Sequence, residues 1–181
     1  ALPWAIGGLH VALGALTIVA TDGFARRVTR SETARWGALL LTALDPVLAI
    51  QAKGVMTETL AAALTALALW GSAVPGPQGA ILGGFGFGLS ALCRPSLLAG
   101  AGLAMLMRPL YEQRSIGRAL RDSLLFGFTI VAVLFPWAAR NKAALGEYVW
   151  TTTHGGYTLA LANNPYYYAD VLDGPPDAVW T

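Results

Sequence analysis

The sequence predicts an all-α fold, a polytopic transmembrane helical bundle of about six spans, on three observations. Of its 181 residues 55% are hydrophobic and 12% charged, whereas a soluble domain carries about 25% charged residues. The charges are clustered, and residues 1–21, 59–93, 123–139 and 148–169 contain none. The apolar runs are continuous rather than alternating, which favours helices over membrane-spanning strands. The same composition argues against a soluble enzyme and against disorder, because disordered chains are poor in apolar residues. A net charge of +2 with scattered basic residues gives no footing for nucleic acid. Cys93 is the single cysteine, so no intrachain disulfide can form. The chain opens at Ala1 without a basic segment ahead of its first apolar run, so no signal peptide is recognisable. The expectation is a piece of a longer protein.

A helix crossing the hydrocarbon needs about 20 mostly apolar residues. The first candidate is Leu2–Phe24 and the second Trp36–Ile50. The third, Val55–Val74, is closed by the breaker run Pro75-Gly76-Pro77-Gln78-Gly79. Ala80–Cys93, Ser96–Met107 and Ser123–Trp137 complete the set. The charge-free run 59–93 is too long for one span, and its Pro/Gly turn divides it into a tight hairpin. Several candidates are short and must thin the bilayer or extend into their flanks. Gly79/Gly83 and Gly84/Gly88 set small residues four apart on the fourth span, a pattern for close helix packing.

Basic residues set the orientation. Arg26, Arg27, Arg30 and Arg35 fall in the loop 25–35, and Arg108, Arg114, Arg118 and Arg121 in the loop 108–122. With alternating spans these loops share a face, and the positive-inside rule places 25–35, 75–79 and 108–122 in the cytoplasm. The expected setting is the cell's inner (plasma) membrane. Residues 1–140 then form the bundle, and 141–181 an external segment rich in Tyr, Trp, Gly and Asn. Its aromatic residues read first as an interfacial belt.

The outer face collects an unusual mixture. Asp45 closes the second span, Lys53 and Glu58 open the third, Arg94 ends the fourth and Arg140 leaves the sixth. Ionisable groups at membrane depth are costly and point to function. Guanidinium groups meet phosphate oxygens with paired, charge-assisted hydrogen bonds, and a carboxylate can take a proton from an acceptor as general base. Glu58 and Asp45 are therefore the catalytic candidates, and Arg94, Arg140 and Lys53 the candidates for a lipid phosphate. The plainer reading is that the cations snorkel to ordinary headgroups and that Asp45 caps a turn. His10 and His154 are far apart in sequence, and no His/Cys metal cluster can be drawn. A divalent ion held by carboxylates stays open, and His10 reads as hydrogen-bonded inside the bundle. There is no phosphate-binding glycine loop of the nucleotide-binding kinds.

Four stretches in order carry a family resemblance. They are Ala43-Leu44-Asp45-Pro46 followed by Thr57-Glu58-Thr59; Gly88-Leu89-Ser90-Ala91-Leu92-Cys93-Arg94-Pro95; Phe135-Pro136-Trp137-Ala138-Ala139-Arg140-Asn141; and Thr152-Thr153-His154-Gly155-Gly156 with Asn163-Asn164-Pro165. Together they resemble the GT-C class of membrane glycosyltransferases, in the protein-mannosyltransferase and aminoarabinose-transferase-like group. The resemblance implies a GT-C-like bundle that moves a sugar, by inverting single displacement, from a polyprenyl-phosphate donor lipid to a glycan, lipid or protein acceptor. It implies that Glu58 is the second acidic residue of the site and that Arg94 and Arg140 contact the lipid phosphate. His154, Asn163 and Asn164 become candidates for the acceptor or sugar, with His154 standing where the pattern more often has Asn. The family's principal carboxylate lies in a first external loop that would precede Leu2, so this stretch alone is expected to be inactive. The competing reading is a transporter or channel subunit with an outer-face anion or headgroup site, marked by short, Gly/Pro-interrupted spans; a noncatalytic scaffold is the third.

Overall fold

The computed structural model describes residues 2–52, 57–112, 115–153, 159–160, 163–166 and 168–169. The chain is all-helical, with no strand among the described residues. Its helices are α1 (Leu2–Val28), α2 (Glu32–Ala43), α3 (Pro46–Gln51), α4 (Glu58–Ser72), α5 (Pro77–Cys93), α6 (Leu97–Glu112) and α7 (Ile116–Leu145). Among the described residues three helical stretches are long and apolar enough to cross a membrane: Trp4–Val28, Glu32–Gln51 and Ile116–Leu145. The protein is thus a membrane-associated helical bundle. On α7, Leu124, Phe128, Val131 and Phe135 form an exposed apolar stripe, while Asp122, Phe126, Leu134, Ala138 and Asn141 are buried. A helix apolar on both its packed and its outer face suits lipid rather than water.

The element boundaries correct the sequence reading in several places. The first span extends to Val28 and the last runs from Ile116 to Leu145, so the loops expected at 25–35 and 108–122 are mostly helical. Pro136 lies inside α7, which continues past Arg140 to Leu145. The second span is broken. Asp45 precedes Pro46, which disfavours helical backbone at the residue before it, and its Oδ1 accepts from the Val47 and Leu48 amides at 2.8 and 3.1 Å. That cap ends one helix and starts another.

The core is the hairpin of α4 and α5, with α7 on the far side of α5. Gly76, at φ +82°, supplies the left-handed turn between them. Glycines let α5 touch both neighbours at backbone range. Toward α4, a Cβ on Gly86 would meet Ala68 Cα at 2.8 Å, and one on Gly83 would meet Ser72 Oγ at 2.1 Å. Toward α7, a Cβ on Gly84 would lie 2.6 Å from the Phe126 carbonyl oxygen, and one on Gly88 2.8 Å from Val133 Cβ. Phe87 and Phe126 fill the remaining space, their rings tilted 60° with centroids 5.9 Å apart. The sequence pattern of small residues is therefore a packing device: Gly84 and Gly88 face α7, Gly83 sits between Ser72 of α4 and the Phe126 ring of α7, and Gly79 meets the Val74 carbonyl of the turn.

Contacts fix the relative directions of α1 and α4 and of α5 and α7. His10 meets Thr59 and Gly23 meets the Trp70 ring, so α1 and α4 run parallel. Gly84 faces Phe126 and Gly88 faces Val133, so α5 and α7 run parallel as well. Ion pairs of Asp22 with Arg26 and Arg35, and of Arg35 with Glu32, tie α1 to the start of α2. Arg108 is 2% exposed and donates from Nη2 to the carbonyls of Gly76 (2.6 Å) and Val74 (3.3 Å), tying α6 to the α4–α5 turn. Arg121 binds Oδ1 of the buried Asp122 at 2.7 Å. Part of the arginine-rich face is therefore internal clamps rather than free surface charge.

Candidate functional site

Glu58 begins α4, where a carboxylate is favoured by the amino-terminal end of the helix dipole. Arg94 terminates α5 with extended backbone (φ −144°, ψ 109°), as the following Pro95 requires. Both residues lie about one hairpin arm from the turn at Gly76, so the antiparallel pairing of α4 and α5 brings them level. Arg94 Nη2 donates to Glu58 Oε1 in an ion pair across 36 residues of sequence. The Glu58 side chain is 19% exposed and that of Arg94 47%. Glu58 Oε2 is buried without a hydrogen-bond partner among the described residues. The guanidinium thus keeps donors open to solvent, while the carboxylate is held in a drier place.

This pair stands at one end of a groove of about 570 Å³ walled by α1, α2 and α4. Thr17, Thr21, Thr42 and Thr65 line its flanks, and Phe24 and Leu69 its far end. Three of the threonines return their hydroxyls to their own helices, Thr17 to Leu13 O (2.8 Å), Thr42 to Ala38 O (2.9 Å) and Thr65 to Ala61 O (2.7 Å). Their protons are satisfied, so the wall tolerates an apolar occupant while still offering hydroxyl oxygens. From Glu58 to Leu69 the groove follows α4 for about 17 Å at 1.5 Å per residue.

A smaller cavity of about 170 Å³ shares Thr17 and Thr42 with the groove. His10, Thr59 and Asp45 border it, and Thr59 Oγ1 lies 2.8 Å from His10 Nδ1 in a buried hydrogen bond. The break between α2 and α3 forms part of its wall, since Ala43, Asp45 and Leu48 all line it. His10 is therefore hydrogen-bonded within the bundle, as expected of it.

The remaining candidates are less concentrated. Asp45 serves the amino terminus of α3 and faces the small cavity rather than the Glu58–Arg94 pair. Arg140 is exposed, with its guanidinium 5.2 Å from the Trp137 ring centroid and donating to Asn141 Oδ1 at 3.1 Å. Among the described residues it makes no hydrogen bond or ion pair with Glu58 or Arg94. Asn163 and Asn164 donate to the carbonyls of Leu159 (2.9 Å) and Ala160 (3.1 Å), each four residues back in the sequence. Lys53 and His154 lie outside the described residues. No group of three His, Cys, Asp or Glu side chains able to hold a metal occurs among the described residues.

The segment after α7 folds back on it. Trp137 Nε1 donates to Thr151 O (3.0 Å) and Asn141 Nδ2 to Val149 O (2.8 Å). Gly146 enables the reversal at φ +80°, in the left-handed region. The Trp137–Asn141 motif thus acts by anchoring the chain that follows it. Sequence reasoning missed the threonine lining. Thr17 and Thr21, four residues apart on one helix, were its only legible sign.

Comparison with protein-family models, curated proteins and solved structures finds no match for this chain.

Proposed function

We propose that the protein is an integral-membrane glycosyltransferase that uses a polyprenyl-phosphate-linked sugar, with the donor phosphate at Arg94 and the lipid tail in the threonine-flanked groove. The observation that carries this reading is the Glu58–Arg94 pair at the head of an apolar groove. A half-exposed guanidinium offers an anion paired donors, and the neighbouring carboxylate is released as a base when phosphate takes its place. Arg140, on its aromatic support, is a second cation for the headgroup region, Asp45 is the second catalytic candidate, and Asn163 and Asn164 are the candidates for the acceptor or sugar. The acceptor would be a glycan, a lipid or a protein.

In this reading the helices make six passes, with α2 and α3 together forming the second. At 1.5 Å per residue α4, α5 and α6 reach about 23, 26 and 24 Å, below the ~30 Å hydrocarbon thickness, so the bilayer thins around them or flanking residues complete the pass. The arginine-rich face lies in the cytoplasm and Glu58, Arg94 and Arg140 lie outside, in the plasma membrane.

The test is binding of a polyprenyl-phosphate sugar to the chain in nanodiscs. Glu58 and the phosphate compete for one guanidinium, so only the loss of Arg94 should weaken binding. Arg94→Gln should weaken binding by about tenfold or more, the worth of a charged hydrogen bond, whereas Glu58→Gln should hold or tighten it while lowering any sugar transfer. Equal affinity of wild type and Arg94→Gln sinks the assignment. The hydroxyl-lined groove also favours a second reading, a transporter subunit, because Thr17 and Thr65, two of its lining residues, lie near the middle of α1 and α4. Substrate flux into sealed vesicles without sugar transfer would select it.

A further inference from the structure

A second groove, of about 400 Å³, lies on the other side of α4, between that helix and α5. Leu64, Leu67, Gly71 and Val74 of the α4 arm line it, at the three- and four-residue spacing of one helix face, whereas Glu58, Ala62, Thr65 and Leu69 line the groove described above. Leu82, Phe85 and Leu89 complete the apolar wall. The one charged residue lining it is Arg27, near the carboxy terminus of α1, with Trp70 also in the lining. We propose that this groove is a binding site for an anionic phospholipid of the arginine-rich face, its phosphate at Arg27 and one acyl chain running along α4 and α5.

Three observations support that occupant. The first is charge. Asp22 is taken by Arg26 and Arg35, and Glu32 by Arg35. Arg27 makes no ion pair or hydrogen bond among the described residues, and its side chain is exposed at the groove's end. The second is depth. From Val74 to Leu64 the groove follows the α4 arm for about 15 Å, half of the ~30 Å hydrocarbon core. A chain anchored at Arg27 would therefore reach the bilayer midplane and stop there. The third is the sequence of chemistries along the wall: guanidinium, then indole, then only aliphatic and phenyl groups. That order matches headgroup, interface and hydrocarbon in one leaflet. Trp70 is fixed in place because its ring packs directly on Gly23, where a Cβ would fall 2.3 Å from Cε2.

The experiment is native mass spectrometry of the full chain in detergent, titrated with phosphatidylglycerol or phosphatidylcholine. Wild type should retain one phosphatidylglycerol about fivefold more tightly than phosphatidylcholine, the effect of one cation near a membrane surface. Arg27→Gln should abolish that preference, Arg27→Lys should keep it, and Arg30→Gln, changed outside the groove, should leave it unaltered. Leu67→Trp, which fills the groove, should release the bound lipid while far-ultraviolet circular dichroism stays helical. Equal retention of the two lipids by wild type, or an undiminished preference in Arg27→Gln, overturns the proposal. So does full displacement by glycerol 3-phosphate, since the ligand would then be a free phosphate rather than a lipid. None of these variants touches Glu58 or Arg94, so the result is independent of the glycosyltransferase reading.

Discussion

Replacing Gly84 by alanine gives a direct measure of how tightly α5 and α7 are joined. The added methyl would start 2.6 Å from the Phe126 carbonyl oxygen and 2.9 Å from Thr129 Cβ. The first neighbour is backbone, which cannot rotate away, so the helices must separate. Overpacking of this kind costs about 1–3 kcal/mol. Alanine also favours the helix over glycine by about 0.5–1 kcal/mol, which complicates the single measurement. Gly127→Ala removes that complication. Gly127 lies inside α7, and a Cβ there would have nothing within 4 Å, so it carries the helix gain without the collision. The difference between the two variants isolates the collision, and Gly84→Ala should be the less stable by about 1–3 kcal/mol. Reversible unfolding in mixed micelles, followed by circular dichroism as the denaturing detergent fraction rises, reads that difference. A gap within about 0.5 kcal/mol, the usual range of surface substitutions, or one of opposite sign, would refute the packing described for α5.

Other expectations follow from individual contacts. A double-mutant cycle on Glu58→Gln and Arg94→Gln should give a coupling of about 1–2 kcal/mol, between the values for exposed and buried pairs; additive losses in the same unfolding assay would deny the ion pair. Arg108→Ala should lower stability by about 2–3 kcal/mol, because two carbonyls of the α4–α5 turn lose a charged donor. Asp45→Ala should cost about 1 kcal/mol, with Asp45→Asn largely restoring it; parity of all three proteins would remove the capping role. Asn141→Ala should free the returning segment near Val149, seen as faster amide hydrogen exchange at residues 149–151 with α7 unchanged.

The hairpin is legible in the sequence because its signals are local: a Pro/Gly run at 75–79 and glycines spaced by four. The approach of Glu58 and Arg94 follows from that hairpin, since its two arms are nearly equal in length. Other features depend on partners that composition does not mark. Arg108 reads as a loop cation, yet its acceptors are backbone carbonyls of another turn. Arg140 shares an end of the bundle with Arg94 in the sequence pattern, but Trp137 and Asn141, one helical turn away and next to it, hold it on its own helix. The break at Asp45 has a local sign, the Asp-Pro pair that reads as a turn cap, but the apolar run around it is long enough by itself to suggest one span. The threonines of the groove are invisible as a set because they come from three helices, and each is an ordinary helix residue by itself.

The uneven distribution of buried side chains sets how the molecule yields to an incoming ligand. Half of α5 is buried against its neighbours, whereas α2 and α3 have no buried residue. The wall formed by α2 is fastened at its beginning, through Arg35 and Asp22, and gains little from packing at the other end. A bulky occupant would therefore push that wall outward like a door on its frame, with the ion pair near residue 35 as the hinge post, while the glycine-joined slab behind it stays put.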